Sequence, residues 1–221
     1  MAEFVIHGVP GSPYVRAPLV ALEEKGAAWK LAALPFGGHK APEYRAIHPF
    51  QKIPAMDHGD FRLYETTAML RYIDNAIDGP ALVPADPKLA ARMDQVMSVT
   101  LCYVTPTVSA TLSFHRMVAP VLGLPVDEQA IASGIGPARD TLAEVARLLG
   151  SQPFMAGEQV SLADCMLASH ISFLREYDEG RMLLAELPGL SAWIERMEAR
   201  PSMTATTWDR LREMTGQKLA A

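Results

Sequence analysis

At 221 residues with 49% apolar content, the chain can bury one large core or two small ones, and its 20% charged fraction is that of a folded globular protein. A formal net charge of −5 leaves no basic field of the kind that releases counterions from phosphates, which argues against nucleic acid as a partner. The opening "MAEFVIHGVPGSPY" lacks a basic segment followed by an apolar run, and no window approaches the roughly 18 apolar residues of a membrane span, so a soluble, cytoplasmic protein with no membrane partner is expected.

Taken in chain order, "EFVIHG" at 3–8 predicts a first strand, ended by the turn-rich "GVPGSP". "PYVRAPLVALEEKG" sets Val15, Leu19 and Leu22 at helical spacing and stops at Gly26. "AWKLAAL" predicts a second strand, and the order strand, helix, strand implies a parallel crossover. Residues 54–58 and 61–64, joined at "HGD", read as an antiparallel hairpin, and "ETTAMLRYIDNAI" as the helix after it. These elements make an α/β domain over residues 1–78. "GPALVPADP", 79–87, has the composition of a linker. Over 88–221 the strand signals vanish, and helical periods recur in Leu142, Val145, Leu148 and Leu149 and in Leu190, Trp193, Ile194 and Met197. The second domain is therefore read as all helix.

Cys102 and Cys165 stand 63 positions apart in apolar, helix-like segments, which predicts buried, unreactive thiols and neither a disulfide framework nor a cysteine metal site. The six histidines show no i, i+4 ligand spacing, so no metal is expected.

Three places combine residues suited to an anion. Ser12 before Pro13 marks a helix start, where the hydroxyl serves either to cap the free amides or to meet a negative charge beside the helix dipole. Glu65, Thr66 and Thr67 open the later helix with the same two readings. His39 and Lys40 lie in the glycine-rich "GGHKAP", where the plain reading is a solvated basic pair.

Together these stretches resemble the thioredoxin-like half of cytosolic glutathione transferases, and nearly the whole chain takes part in the resemblance, which is nearest to the serine-type phi class and its bacterial relatives. Gly8 is followed four residues on by Ser12, the family's "NPFGQVPAL" appears as "HPFQKIPAM", and its "ES" pair as Glu65 and Thr66. In the second domain "MAGEQVSLADCML" is similar to the family's capping-box segment, with Ser161 and Asp164 closing a helix start. "LPGLSAWIERMEARPSM" looks like its penultimate helix. The fold implied is an α/β thioredoxin-like domain followed by an all-α domain.

The resemblance further implies a transferase that adds the glutathione thiolate to small hydrophobic electrophiles, with glutathione as co-substrate and no cofactor. Ser12 would donate to the sulfur, with Tyr14 as a competing hydroxyl. His39 and Lys40 would meet the glycyl carboxylate, with Lys52, where the family motif has glutamine, adding to them. A cis peptide before Pro54 would present the Ile53 backbone to the cysteinyl unit. Glu65 and Thr66 would hold the γ-glutamyl end. An electrophile pocket is expected between the domains near Tyr14, Phe36, Phe114 and His115, the last two having plain core as their other reading, and a homodimer with Phe50 inserted into the partner subunit, the other reading of Phe50 being an ordinary buried side chain. The rival readings are an idle carrier or protein-interaction module of the same fold, and a glutathione-dependent dehalogenase, peroxidase or isomerase.

Overall fold

The structure, a computed structural model, describes residues 3–216, so the expected domain ends at 1–2 and 217–221 lie outside the described residues. The described chain divides into two compact units, one made of residues 3–82 and 199–216, the other of 83–198.

In the first unit β1 (Phe4–Gly8) runs parallel to β2 (Trp29–Ala33), and α1 (Pro13–Glu24) makes the crossover that a parallel pair requires. The hairpin forms as expected: β3 (Ala55–His58) pairs with β4 (Phe61–Tyr64) and, on its other side, antiparallel with β1, giving a sheet of order β2-β1-β3-β4. On α1 a continuous run from Ala17 to Leu22 is buried, and α2 (Thr66–Ala76) buries Met69, Leu70 and Ile73. At the far end of both helices Lys25, 7% exposed, donates to Asp74 Oδ1 at 3.2 Å and to the carbonyl of Pro80 at 3.1 Å, while Asp74 accepts from the Leu82 amide at 2.8 Å. A buried ammonium is tolerated only when so satisfied.

The sequence reading assigned everything after Lys88 to the helical domain, but α8 (Pro201–Ala205) and α9 (Trp208–Thr215) belong to the first unit. Polar side chains along α1 hold this returning segment. Arg16 donates to the Met203 carbonyl at 2.9 Å and to Thr206 Oγ1 at 3.4 Å, and Glu24 accepts two bonds from Arg200, each 2.6 Å, and a third from Ser202. The apolar period of this tail looks like that of any other helix in the chain, so its destination is invisible locally.

Among the described residues of the second unit every named element is a helix, as expected, with one isolated antiparallel bridge between Phe154 and Gly157 in a connecting stretch. α3 (Pro87–Val99) is capped by Asp86, whose side chain accepts from the Lys88 amide at 2.7 Å. It continues through Thr100–Val118 with the wider i→i+5 pitch. Thr105 and Thr111 hydroxyls bond the carbonyls five residues earlier, at 3.0 and 2.6 Å, and Pro106 supplies no amide to that ladder. α4 (Glu128–Leu149), α5 (Leu162–Ile171), α6 (Asp178–Ala185) and α7 (Pro188–Glu198) follow. Every residue of α5 is buried, which makes it the central helix of the unit. Its start is closed by the predicted capping box: Asp164 accepts from the Ser161 amide and hydroxyl, the Met155 amide and the Trp193 indole at 2.6–2.9 Å.

Two expectations are corrected here. Cys165 is buried, but Cys102 is exposed. Val104, Val108 and Leu112 form the buried row of that helix, and Cys102 falls on its outer face beside Tyr103. The same helix, Pro87–Val118, is also long and apolar enough by length and composition to cross a membrane, contrary to the reading that no window approaches this. Its buried row packs against α4 and α5 within the unit, so part of that apolar content is core.

Candidate functional site

The N-terminal turn of α1 begins at Ser12, whose extended backbone (φ −70°, ψ 125°) lets its carbonyl accept from the Arg16 amide at 2.9 Å. Its side chain makes no capping hydrogen bond, so the first of the two sequence readings, a capping hydroxyl, is not what this serine does in the fold. Pro13 removes one orphan amide by chemistry and presets the helical φ, which lets the helix start without a side-chain cap. Gly11 directly ahead has φ 88°, and a Cβ on it would stand 2.7 Å from the Trp208 indole. The loop before Ser12 is therefore packed under α9.

The start of α2 is close by. Thr66, 5% exposed, directs its hydroxyl at the Tyr14 carbonyl at the long distance of 3.5 Å, bringing the first turns of both helices together. Glu65 is the N-cap of α2, with φ 74° and no side-chain capping bond. A non-glycine residue at positive φ stores strain, and strained residues cluster at ligand sites and switch regions.

The Ile53–Pro54 bond is cis, as the resemblance implies. Ile53 lies just ahead of the β3 ladder, which begins at Ala55, and Lys52 is exposed. His48, 1% exposed, anchors this turn: its Nδ1 accepts from the Phe50 amide at 3.3 Å and its carbonyl from the Gln51 amide at 2.9 Å. Burial pushes its imidazole below the ordinary value, against the pull of the Glu65 carboxylate.

His39 and Lys40 sit in a short 3₁₀ turn, Gly38–Lys40, after Gly37 at φ 80°. Desolvation, then the charges of Lys40 and Lys52, lower the His39 pKa from 6.5, so at neutral pH this ring offers a hydrogen bond rather than a charge. Its Nδ1 is shielded from solvent and has no partner among the described residues. The expected basic pair is thus one cation, Lys40, beside a neutral imidazole, with Lys52 near enough to be felt.

The remaining predicted residues belong to both units. Tyr14 and Phe36 are in the first unit, Phe36 being 53% exposed. Phe114 and His115 are in the second, where their rings meet edge to face at 5.5 Å and His115 Nδ1 accepts from the Asp127 amide at 3.3 Å. Phe50 is 68% exposed, with its ring edge-on to His48 at 6.1 Å and Tyr64 at 6.2 Å. Among the described residues no three His, Cys, Asp or Glu side chains gather to hold a metal ion.

Sequence reasoning missed Gln51, Arg16 and Trp208. Only the first left a signal: "HPFQKIPAM" carries glutamine where "NPFGQVPAL" has glycine, and Gln51 has φ 50°.

This arrangement has known counterparts. The profile "Glutathione S-transferase, N-terminal domain" matches residues 6–81, and "Glutathione S-transferase, C-terminal domain" matches residues 128–196. Glutathione S-transferase F14 of Arabidopsis thaliana is 31% identical over 86% of this chain and 77% of its own length. Glutathione S-transferase 3 of Zea mays is 30% identical over 93% of this chain and 94% of its own. The crystal structure of the theta class glutathione S-transferase from Xanthomonas axonopodis pv. citri with glutathione bound superposes with a TM-score of 0.81 at 28% identity, covering 94% of this chain and 98% of that one. With both family profiles in their expected order and relatives at this identity along almost the entire chain, the protein belongs to the glutathione S-transferase family.

Proposed function

We propose that the protein conjugates the thiolate of glutathione to small hydrophobic electrophiles, with Ser12 as the donor that holds the sulfur ionised. The observation that carries this reading is the Ser12 hydroxyl itself: it stands at the N-terminus of α1 and is not spent on capping. A thiol of ordinary pKa near 8.5 is only a few per cent ionised at neutral pH, and lowering that value by about two units takes about 2.7 kcal/mol of preferential anion stabilisation. One charge-assisted hydrogen bond of about 1.5–3 kcal/mol and a helix terminus of about 0.3–1 kcal/mol suffice. Ser12 acts by donating; a serine hydroxyl is too weak an acid to work by losing its proton.

The rest of the tripeptide follows from its charges. Lys40 and Lys52 attract the glycyl carboxylate, and His39 donates to it through its neutral ring. The Ile53 backbone, ahead of the ladder, pairs with the cysteinyl unit. Thr66 and the first amides of α2 receive the γ-glutamyl carboxylate, with the strained Glu65 backbone turned toward it. Within the first unit Tyr14 and Phe36 flank the electrophile. The working form is a cytoplasmic homodimer in which the exposed, aromatic-flanked Phe50 enters the partner subunit.

The test is turnover of a chloronitrobenzene by the wild type and by Ser12→Ala. Loss of the donor should cut the rate about 10- to 100-fold, at about 1.36 kcal/mol per decade, and raise the apparent pKa of the bound thiol, read from thiolate absorption during a pH titration. An unchanged rate at neutral pH removes Ser12 from the chemistry, and glutathione binding without turnover of any of several electrophiles favours the carrier reading.

A further inference from the structure

Gln51 holds an unusual backbone and an unusual set of partners at once. Its φ of 50° is one that side chains other than glycine rarely adopt. Its Nε2 donates to the Lys40 carbonyl at 2.7 Å and to the Ala41 carbonyl at 3.1 Å, and its Oε1 accepts from Arg45 Nε at 3.0 Å. Its own amide closes the turn on the His48 carbonyl at 2.9 Å.

All the donors and acceptors of the side-chain amide except one lone pair are used. The bonds join two segments that no strand pairing connects. One is the 3₁₀ turn carrying His39 and Lys40, and the other is the turn leading through Lys52 to Ile53. The left-handed φ directs the side chain back across the gap, and the three bonds it gains offset the conformational cost.

We infer that Gln51 is a positioning residue for the glycyl end of glutathione: it fixes the distance between His39 and Lys40 on one segment and Lys52 on the other, so that all three converge on one carboxylate. This rests on the proposed assignment of those three residues to the glycyl carboxylate. Gln51 itself touches protein carbonyls rather than ligand. It stands where the similar motif has glycine, a residue that adopts positive φ freely but can make no such staple. The charge of Lys52 reaches His39 across the gap, which agrees with their convergence.

The experiment compares glutathione with γ-glutamylcysteine, which keeps the thiol and the γ-glutamyl group but lacks the glycyl residue. Steady-state constants for both are measured in the wild type, Gln51→Gly and Gln51→Glu. Glycine relieves the backbone and deletes the staple; glutamate keeps the length but cannot donate to the two carbonyls. For both variants KM for glutathione should rise about 3- to 10-fold, the scale of one or two neutral hydrogen bonds, with kcat within about two-fold of wild type. KM for the dipeptide should be unchanged. Equal losses on both substrates would make Gln51 a general structural residue, and no loss on either would make the staple irrelevant; each overturns the inference. If the wild type does not prefer glutathione over the dipeptide, the glycyl assignment fails first and takes the inference with it.

Discussion

The indole of Trp208 lies against the α-carbon of Gly11, so close that a Cβ there would stand 2.7 Å from the ring. Two residues separated by almost the length of the chain thus meet one position ahead of Ser12. Gly11 is doubly constrained, since its φ of 88° also disfavours a side chain.

Gly11→Ala should therefore lower stability by about 1–3 kcal/mol and displace the Ser12 loop, reducing chloronitrobenzene turnover. Trp208→Ala in the same chain removes the clash but leaves the backbone strain. The double variant should recover part of the loss, and a double-mutant cycle on urea midpoints measures that coupling. Strict additivity would mean that the indole does not press on the loop.

Glu24 makes the attachment of the returning segment pH-dependent. Burial alone would raise its carboxyl, but the hydrogen bonds from Arg200 and Ser202 and the Arg200 charge outweigh that and hold it below the ordinary 4.5. A group with a depressed folded pKa contributes stability that is present above the unfolded value and is lost as pH falls through the folded one. Arg200→Ala should thus cost about 1.5–3 kcal/mol near neutral pH, the worth of hydrogen bonds to a charged group. The difference from wild type should shrink as the pH falls from 4.5 through the lowered folded value, where the native carboxyl itself takes up a proton. Urea unfolding of both proteins across that range measures it. A gap that stays constant with pH would mean that the Arg200 packing, not the ion pair, holds the segment.

In the second unit Asp164 serves four donors inside a helix start with no access to water. Asp164→Ala leaves the Met155 and Ser161 amides, the Ser161 hydroxyl and the Trp193 indole without an acceptor, each buried unsatisfied group costing about 1–3 kcal/mol. The variant should be strongly destabilised, by several kcal/mol, and should refold poorly. Ser161→Ala removes one donor to Asp164 and the hydroxyl that accepts in the capping box, and should cost about 1 kcal/mol. Chemical unfolding of the two variants checks the order.

What the amino-acid sequence determined is whatever rests on neighbours a few residues apart. The hairpin at "HGD", the Ser12–Pro13 helix start and the box of Ser161 and Asp164 were legible because turn geometry, φ preference and capping act over three or four positions. The segment holding Ile53 and Pro54 was legible by resemblance of a short motif. Tertiary structure alone decided which face of the Thr100–Val118 helix points outward, exposing Cys102, because apolar and small hydroxyl residues alternate around that segment and its periodicity gives no direction. It alone sent residues 199–216 back to the first unit, through contacts such as Arg16 with Thr206 across 190 positions. Pairings at that separation are selected by the complementarity of surfaces that exist only after each unit has folded, and they leave no period in the chain to read.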